Sequence, residues 1–127
     1  METSLEILAS ASAAWDLLTD TSRWPQWGPS VSHVESDERY IGPGSSGRVR
    51  TIFGVWLPFR VTEFVAGQRW GWEVGGIPAT GHRVEPLGPD RWRVTFEVPL
   101  LATPYLAVCR LAAHRIRNIL EQEQLHQ

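Results

Sequence analysis

His82 is the residue best suited to chemistry in this sequence of 127 residues. An imidazole takes or gives a proton near neutral pH. It sits in "ATGHRVEP", where Thr80, His82 and Val84 share a parity opposite Arg83 and Glu85. The preceding "RWGWEVG" puts Trp70, Trp72 and Val74 on one face. If those faces meet inward, His82 stands among tryptophans, where it can enolise a ketone or orient a carbonyl. The position equally suits a core histidine satisfied by a backbone carbonyl or a water. Parity offers it no partner carboxylate, because Glu73 and Glu85 fall on the outward faces.

Tyr105 and Cys109 open an apolar stripe that continues through Val108, Ala112, Ile116, Ile119 and Leu120. The Tyr105 hydroxyl can line a cavity or serve as an ordinary amphipathic core group. Cys109, with no base beside it in the pattern, reads as a small apolar residue rather than a nucleophile. Arg48 and Arg50 alternate with Val49 and Thr51 and are expected to face solvent. A slip of one residue would turn one of them inward, where it could bind a carboxylate or enolate. No metal site is expected, since His33, His82, His114 and His126 are scattered, without HxH, HxxxH or CxxC spacing. "GPGSSG" lacks a lysine and a following helix, so it is a turn and not a phosphate cradle. GxGxxG and GxSxG are both missing from the sequence, so neither a cofactor nor a serine nucleophile is expected.

The length fits one domain, residues 1–127, with a real core. Twelve basic and fourteen acidic residues give a net charge of -2 without a basic stripe, so nucleic acid is not an expected partner. No apolar run is long enough to span a membrane, and the N-terminus lacks the features of a secretory signal. One cysteine cannot form an internal disulfide and fits a reducing, cytoplasmic setting. Monomer and homodimer both remain open. Seven tryptophans are the unusual count, because each ring needs room and each indole N–H a partner. Two of them stand in "TSRWPQWGPSV", where Pro25 and Pro29 interrupt any long helix or strand. Trp24 and Trp27 therefore either plug one end of a core or form a lid over a cavity.

The elements that position these residues follow from pattern. Leu5, Ile7 and Ala9 suggest a first strand. Ser10 or Ser12 can cap a helix through "AAWDLL", and Asp20 or Thr21 can cap a second that ends at the Trp24–Pro25 step. Strands follow over residues 31–37, "GRVRTIF" (Val49, Thr51 and Phe53 on one face), "WLPFRVTEFV", "RWGWEVG", "ATGHRVEP" and "RWRVTFEVP". Trp92, Val94, Phe96 and Val98 share the inner face of the last strand. Thr103 and Pro104 are suited to start a helix over residues 104–125, roughly 33 Å long at about 1.5 Å per residue. The class is α+β, an antiparallel meander covered on one side by that helix.

The order resembles the helix-grip fold of the START-like, Bet v 1-like (SRPBCC) superfamily, and within it the small bacterial polyketide cyclase/dehydratase-like proteins. The stretches that carry the likeness are "SAAWDLLTDTSRWPQW", "GSSGRVRT", "RWGWEV", "GHRVEP" and the amphipathic helix after "PLLATPY". They are apolar and aromatic patterns with no catalytic signature. The resemblance implies seven antiparallel strands wrapped around the long C-terminal helix, two short helices after the first strand, and a cavity between sheet and helix. It further implies an apolar ligand there, lipid-like or an aromatic polyketide, which is either carried or cyclised and dehydrated. Trp24, Trp27, Phe59, Trp70, Trp72, His82, Phe96, Tyr105 and Cys109 are the expected lining. Pro58 disturbs the parity that would place Phe59. On the enzymatic alternative, His82 is the general base or hydrogen-bond donor. A protein-binding role would need a large exposed apolar patch or a stable dimer, for which outward Leu8 and Trp56 are the only hints.

Overall fold

The computed structural model describes residues 1–99 and 105–125. Ser10 starts the first helix by accepting the Ala13 N–H at 3.3 Å, which satisfies one of the donors that every helix start leaves free. Strand β1 (Glu2–Leu8) precedes this helix, α1 (Ala11–Thr19). A single 3-10 turn, Thr21–Arg23, then leads into one turn of helix, α2 (Trp24–Trp27). Six strands follow: β2 (Val31–Ser36), β3 (Ser46–Thr51), β4 (Trp56–Val65), β5 (Arg69–Val74), β6 (Ile77–Gly88) and β7 (Arg91–Glu97). Helix α3 (Leu106–Leu125) closes the order. The strands form one antiparallel sheet in the order β1-β7-β6-β5-β4-β3-β2, so each hairpin pairs neighbours and β1 returns to the edge of β7. Helix α3 buries Cys109, Ala112, Ile116 and Leu120, four positions at helical spacing, against the inner face. This is the helix-grip architecture.

Three local expectations are corrected. The second helix does not end at the Trp24–Pro25 step. Pro25 sits in the first turn of α2, where a proline forfeits no intrahelical hydrogen bond, and the Gly28 N–H closes the turn on the Trp24 carbonyl at 2.8 Å. Phe53 does not share the inner face with Val49 and Thr51. Strand β3 stops at Thr51 because the chain turns there, with Gly54 at φ +82°, and Phe53 stands in solvent. Strand β2 ends one residue before Asp37. The expected helix start at Thr103–Pro104, and His126, lie outside the described residues.

The outer face of the sheet carries the charge. Arg48 faces outward and pairs with Glu35 at 2.6 Å. Deeper in the sheet, Glu63, Gly71, Gly81 and Glu97 are register partners in a row across β4, β5, β6 and β7. The two glycines leave a trough, and the Arg69 guanidinium lies in it. Its Nε donates to Glu97 at 3.0 Å, its Nη1 donates to Glu63, and Arg83 donates to Glu97 at 2.8 Å. A Cβ on Gly81 would stand 2.6 Å from Glu97 Oε1 and 3.0 Å from Arg69 Nη2. Gly81→Ala should therefore cost about 1 kcal/mol by displacing this cluster. In a Glu97→Ala background the same change should cost less, because the nearest obstruction, Glu97 Oε1, is gone while Arg69 Nη2 and the Cβ of residue 97 stay close, and glycine's extra freedom in the unfolded chain is removed. Urea unfolding of the four proteins in that cycle measures the difference.

Candidate functional site

The inner face is built around stacked rings. Helix α1 ends with carbonyls that have no intrahelical partner. Trp24 Nε1 donates to the Leu18 carbonyl at 2.9 Å and Trp27 Nε1 to the Leu17 carbonyl at 3.1 Å. The spacing of three residues lets both indoles point back to the same helix end. Thus anchored, the Trp24 ring lies parallel to Trp70 at 5.4 Å between centroids, and Trp70 stacks on His82 at 3.9 Å. Trp70 is His82's direct partner between β5 and β6, and Phe96 is its partner across β6 and β7. Edges of Trp72, Trp27 and Phe96 close on this column.

The polar groups form a directed chain. The Trp70 carbonyl can only accept, so the His82 Nδ1–H donates to it, at 3.3 Å. Nε2 then carries the lone pair, and the Thr80 hydroxyl donates to it at 3.1 Å. Thr80 Oγ1 in turn accepts from Trp72 Nε1 at 3.1 Å. The register that pairs Trp70 with His82 and Gly71 with Gly81 brings Trp72 to Thr80, and it shifts by one residue just beyond, where Glu73 pairs with Pro78. Burial dominates the proton affinity of His82 and pushes its pKa down to about 3, against the small opposing pull of the Trp70 hydrogen bond and the Glu97 charge. The imidazole is neutral at physiological pH, and it is a weak base there. Burial likewise raises the Cys109 thiol to about 11 and raises the Tyr105 phenol, so neither is a ready nucleophile or acid at neutral pH.

A cavity of about 50 Å³ lies over these rings. Trp24, Trp27, Trp70, Trp72, His82 and Phe96 border it from the sheet side and α2, and Tyr105 and Cys109 border it from the helix side. Phe59 does not reach it. That ring is buried behind Trp24 and Trp72, 5.3 Å and 5.7 Å from their centroids. Ser30, Thr80, Val108 and Ala112 also line the space. Thr80 shares His82's parity and Val108 and Ala112 share the helix stripe, so pattern could have found them. Ser30 lies in an irregular loop and gives no periodic signal.

The cavity opens outward into a vestibule of about 380 Å³ with which it shares Ser30, Val31, Trp72, Thr80 and Tyr105. Val49 and Thr51 of β3, Val74 of β5, the Ile77–Ala79 start of β6 and Pro99 after β7 form the rest of its described wall. The hydroxyls of Ser30 and Tyr105 are hydrogen-bonded across the passage. Among the described residues, none that lines either space is charged. Arg50, the other outward candidate, lines neither. Among the described residues, no group of three His, Cys, Asp or Glu side chains could hold a metal ion, and no helix is long and apolar enough to cross a membrane.

A family model described as polyketide cyclase / dehydrase and lipid transport matches residues 1–122. The chain belongs to that family. Solved structures repeat the fold at low identity. The protein XoxI from Bacillus cereus aligns with a TM-score of 0.75 at 13% identity, over 98% of this chain and 96% of that one. The di-domain ARO/CYC StfQ from the steffimycin biosynthetic pathway gives 0.75 at 17% identity, over 98% of this chain and 45% of that one. An AHSA1-like protein from Aeromonas hydrophila gives 0.65 at 14% identity, over 98% and 95%. No curated protein matches the chain by sequence. These likenesses establish the architecture, and the residues of the site stand on their own geometry.

Because the folded pKa of His82 lies below the ordinary 6.5, the unfolded chain binds the proton first as the pH falls. Stability is complete above about pH 7 and is lost progressively below 6.5, by about 2 kcal/mol at pH 5. Two structural carboxylates titrate lower. Burial opposes the charge on Asp20, but hydrogen bonds from Arg39 and Ser22 hold its pKa below the usual range. The Arg69 hydrogen bond does the same for Glu97 against its burial. Their contributions are lost only in stronger acid. Urea midpoints from pH 7 to pH 5 should fall in the native protein and stay flatter in His82→Phe.

Proposed function

We propose that the protein binds a neutral, apolar small molecule, lipid-like or polyketide-like, with its body in the vestibule and one end against the Trp72–Thr80–His82 floor. The observation that carries this reading is an apolar space within the usual size range of ligand pockets without a charged group in its lining. A carboxylate or ammonium placed there would lose its hydration with no counter-charge in return. The inner cavity is too small for more than a few waters or a small substituent, so the vestibule supplies most of the contact area. Thr80 Oγ1 keeps one lone pair after its two hydrogen bonds, which suits a ligand hydroxyl.

A second reading is a cyclase or dehydratase of the family type, favoured by the polar chain at the cavity floor and by the pathway named for StfQ. In it His82 acts through Thr80 as a hydrogen-bonding group. A general-base role fits poorly with an imidazole whose pKa is pushed down to about 3. Either reading suits a cytoplasmic chain that works as a monomer or homodimer, without nucleic acid.

Two fluorescent probes test the charge rule. Neutral 1-aminoanthracene should bind, and anionic anilinonaphthalene sulfonate should bind at least about tenfold more weakly, because the anion's desolvation is uncompensated. Val74→Trp, which fills the vestibule from a half-exposed strand position, should abolish binding of the neutral probe while the thermal midpoint holds. Equal affinity for both probes, or an undiminished affinity in Val74→Trp, would sink the proposal.

A further inference from the structure

The vestibule opens at one end of the sheet, and that end differs in kind from the other. Residues 28–32, 51–59, 74–80, 98–99 and 105–109 meet there, and not one is Asp, Glu, Lys or Arg. Such residues make up 20% of the chain, and the opposite end has Asp37, Glu38, Arg39 and Asp90 in its connections. The uncharged end also projects apolar surface. Phe53 is 87% exposed, Ile77 68%, Ile52 60% and Val55 52%. The β3–β4 turn is held rigidly: Thr51 N–H donates to the Val55 carbonyl at 2.8 Å and Gly54 N–H to the Thr51 carbonyl at 2.9 Å. Ile52 N–H reaches the Ser30 carbonyl at 3.2 Å, which ties the tip to the vestibule mouth.

The charges nearest this end are the Met1 ammonium, which donates to the Val98 carbonyl at 2.9 Å, and behind it Arg50, Arg60 and Arg110 against Glu2, Glu73 and Glu97. Glu2 is the register partner of Glu97 and pairs with Arg83 at 3.3 Å. Glu97 is already engaged by Arg69 and Arg83, and Arg60 stands 3.6 Å from Glu73. Neither Arg50 nor Arg110 joins an ion pair among the described residues. An apolar tip with a basic collar is the pattern of a surface that seats in a lipid interface, rings among the acyl chains and cations at the headgroups.

We propose that this end docks on an anionic lipid bilayer through Phe53 and Ile52, with Arg50 and Arg110 at headgroup level. Resting on the vestibule as a ligand site, the arrangement lets an apolar molecule pass between bilayer and protein without crossing water. A second copy of the chain fits less well. A stable dimer face spans about 800 Å² per partner with close complementarity, whereas this surface is a narrow convex tip flanking an opening. A fluid apolar phase accommodates a protruding ring that a rigid partner would have to match.

Vesicle flotation is the test, with phosphatidylcholine alone and phosphatidylcholine mixed with phosphatidylglycerol. The native protein should bind the mixed vesicles and bind phosphatidylcholine about thirtyfold more weakly, as the loss of two arginine–headgroup attractions implies. Added salt, or Arg50→Gln with Arg110→Gln, should weaken binding by a similar factor. Phe53→Asp should abolish it with an unchanged melting temperature and unchanged 1-aminoanthracene affinity, since Phe53 lines neither space. Native protein that binds the probe but neither vesicle overturns the docking alone. Native protein that floats but does not bind the probe overturns the ligand reading alone. Flotation unaffected by Phe53→Asp, or a dimer in sedimentation velocity that this change dissociates, also overturns the docking.

Discussion

A tryptophan buried between a helix and a sheet must find an acceptor for its indole N–H or forfeit the free energy of a hydrogen bond. A helix end has the opposite need, because its last carbonyls want donors. Trp24 and Trp27 join the two requirements at Leu18 and Leu17. Once the indoles are tied there, the Trp24 ring has one place to go, flat against Trp70, and Trp70 presses on His82. The imidazole is then sealed from water, which keeps it neutral and makes its two hydrogen bonds directional. Thr80 and Trp72 take their orientations from that choice of tautomer. A short, proline-bearing segment thereby sets the floor of the cavity.

Charge is sorted between the two faces of the same strands. The inner face of β5 and β6 presents indole, hydroxyl and imidazole, all uncharged. The outer face of the same residues' neighbours holds Arg69, Arg83, Glu63 and Glu97. Gly71 and Gly81 let this cluster lie close to the backbone directly behind His82. Glu97 and Arg69 act on the imidazole with opposite sign, so their pairing leaves burial as the controlling influence on its protonation.

The fold and most of the inner face are legible in the sequence because they follow parity and helical spacing. Trp70, Trp72, His82 and Phe96 line up by the period of two, and Cys109 and Ala112 by the period of the helix. Departures occur where the chain leaves those periods. Phe53 continues the alternation of β3 on paper, yet the turn at Gly54 carries it into solvent. Pro25 looks like a stop and is instead a tolerated first-turn residue. Ser30 belongs to no element, and the register shift that sets Glu73 against Pro78 is invisible to a strict alternation. Phe59 has the right parity for burial, but Trp24 and Trp72 stand between it and the open space. Tryptophan number announces a crowded interior without saying how little room the stacking leaves.

That crowding has a consequence for selection. An interior filled by stacked rings is close-packed and does not swell to fit a guest without losing dispersion contacts. On the proposed reading, the floor therefore contributes orientation through few hydrogen bonds, and area is gained nearer the surface, along Val49, Val74 and the start of β6. Those walls belong to the ends of hairpins, whose shape is fixed by turns such as the one at Gly54 and by the hydrogen bond between Ser30 and Tyr105. Size selection then resides at the mouth and exclusion of charge in the whole lining. The residues that would change ligand preference are thus the vestibule's small apolar side chains, while changes to Trp24, Trp70 or His82 would first be felt as lost stability.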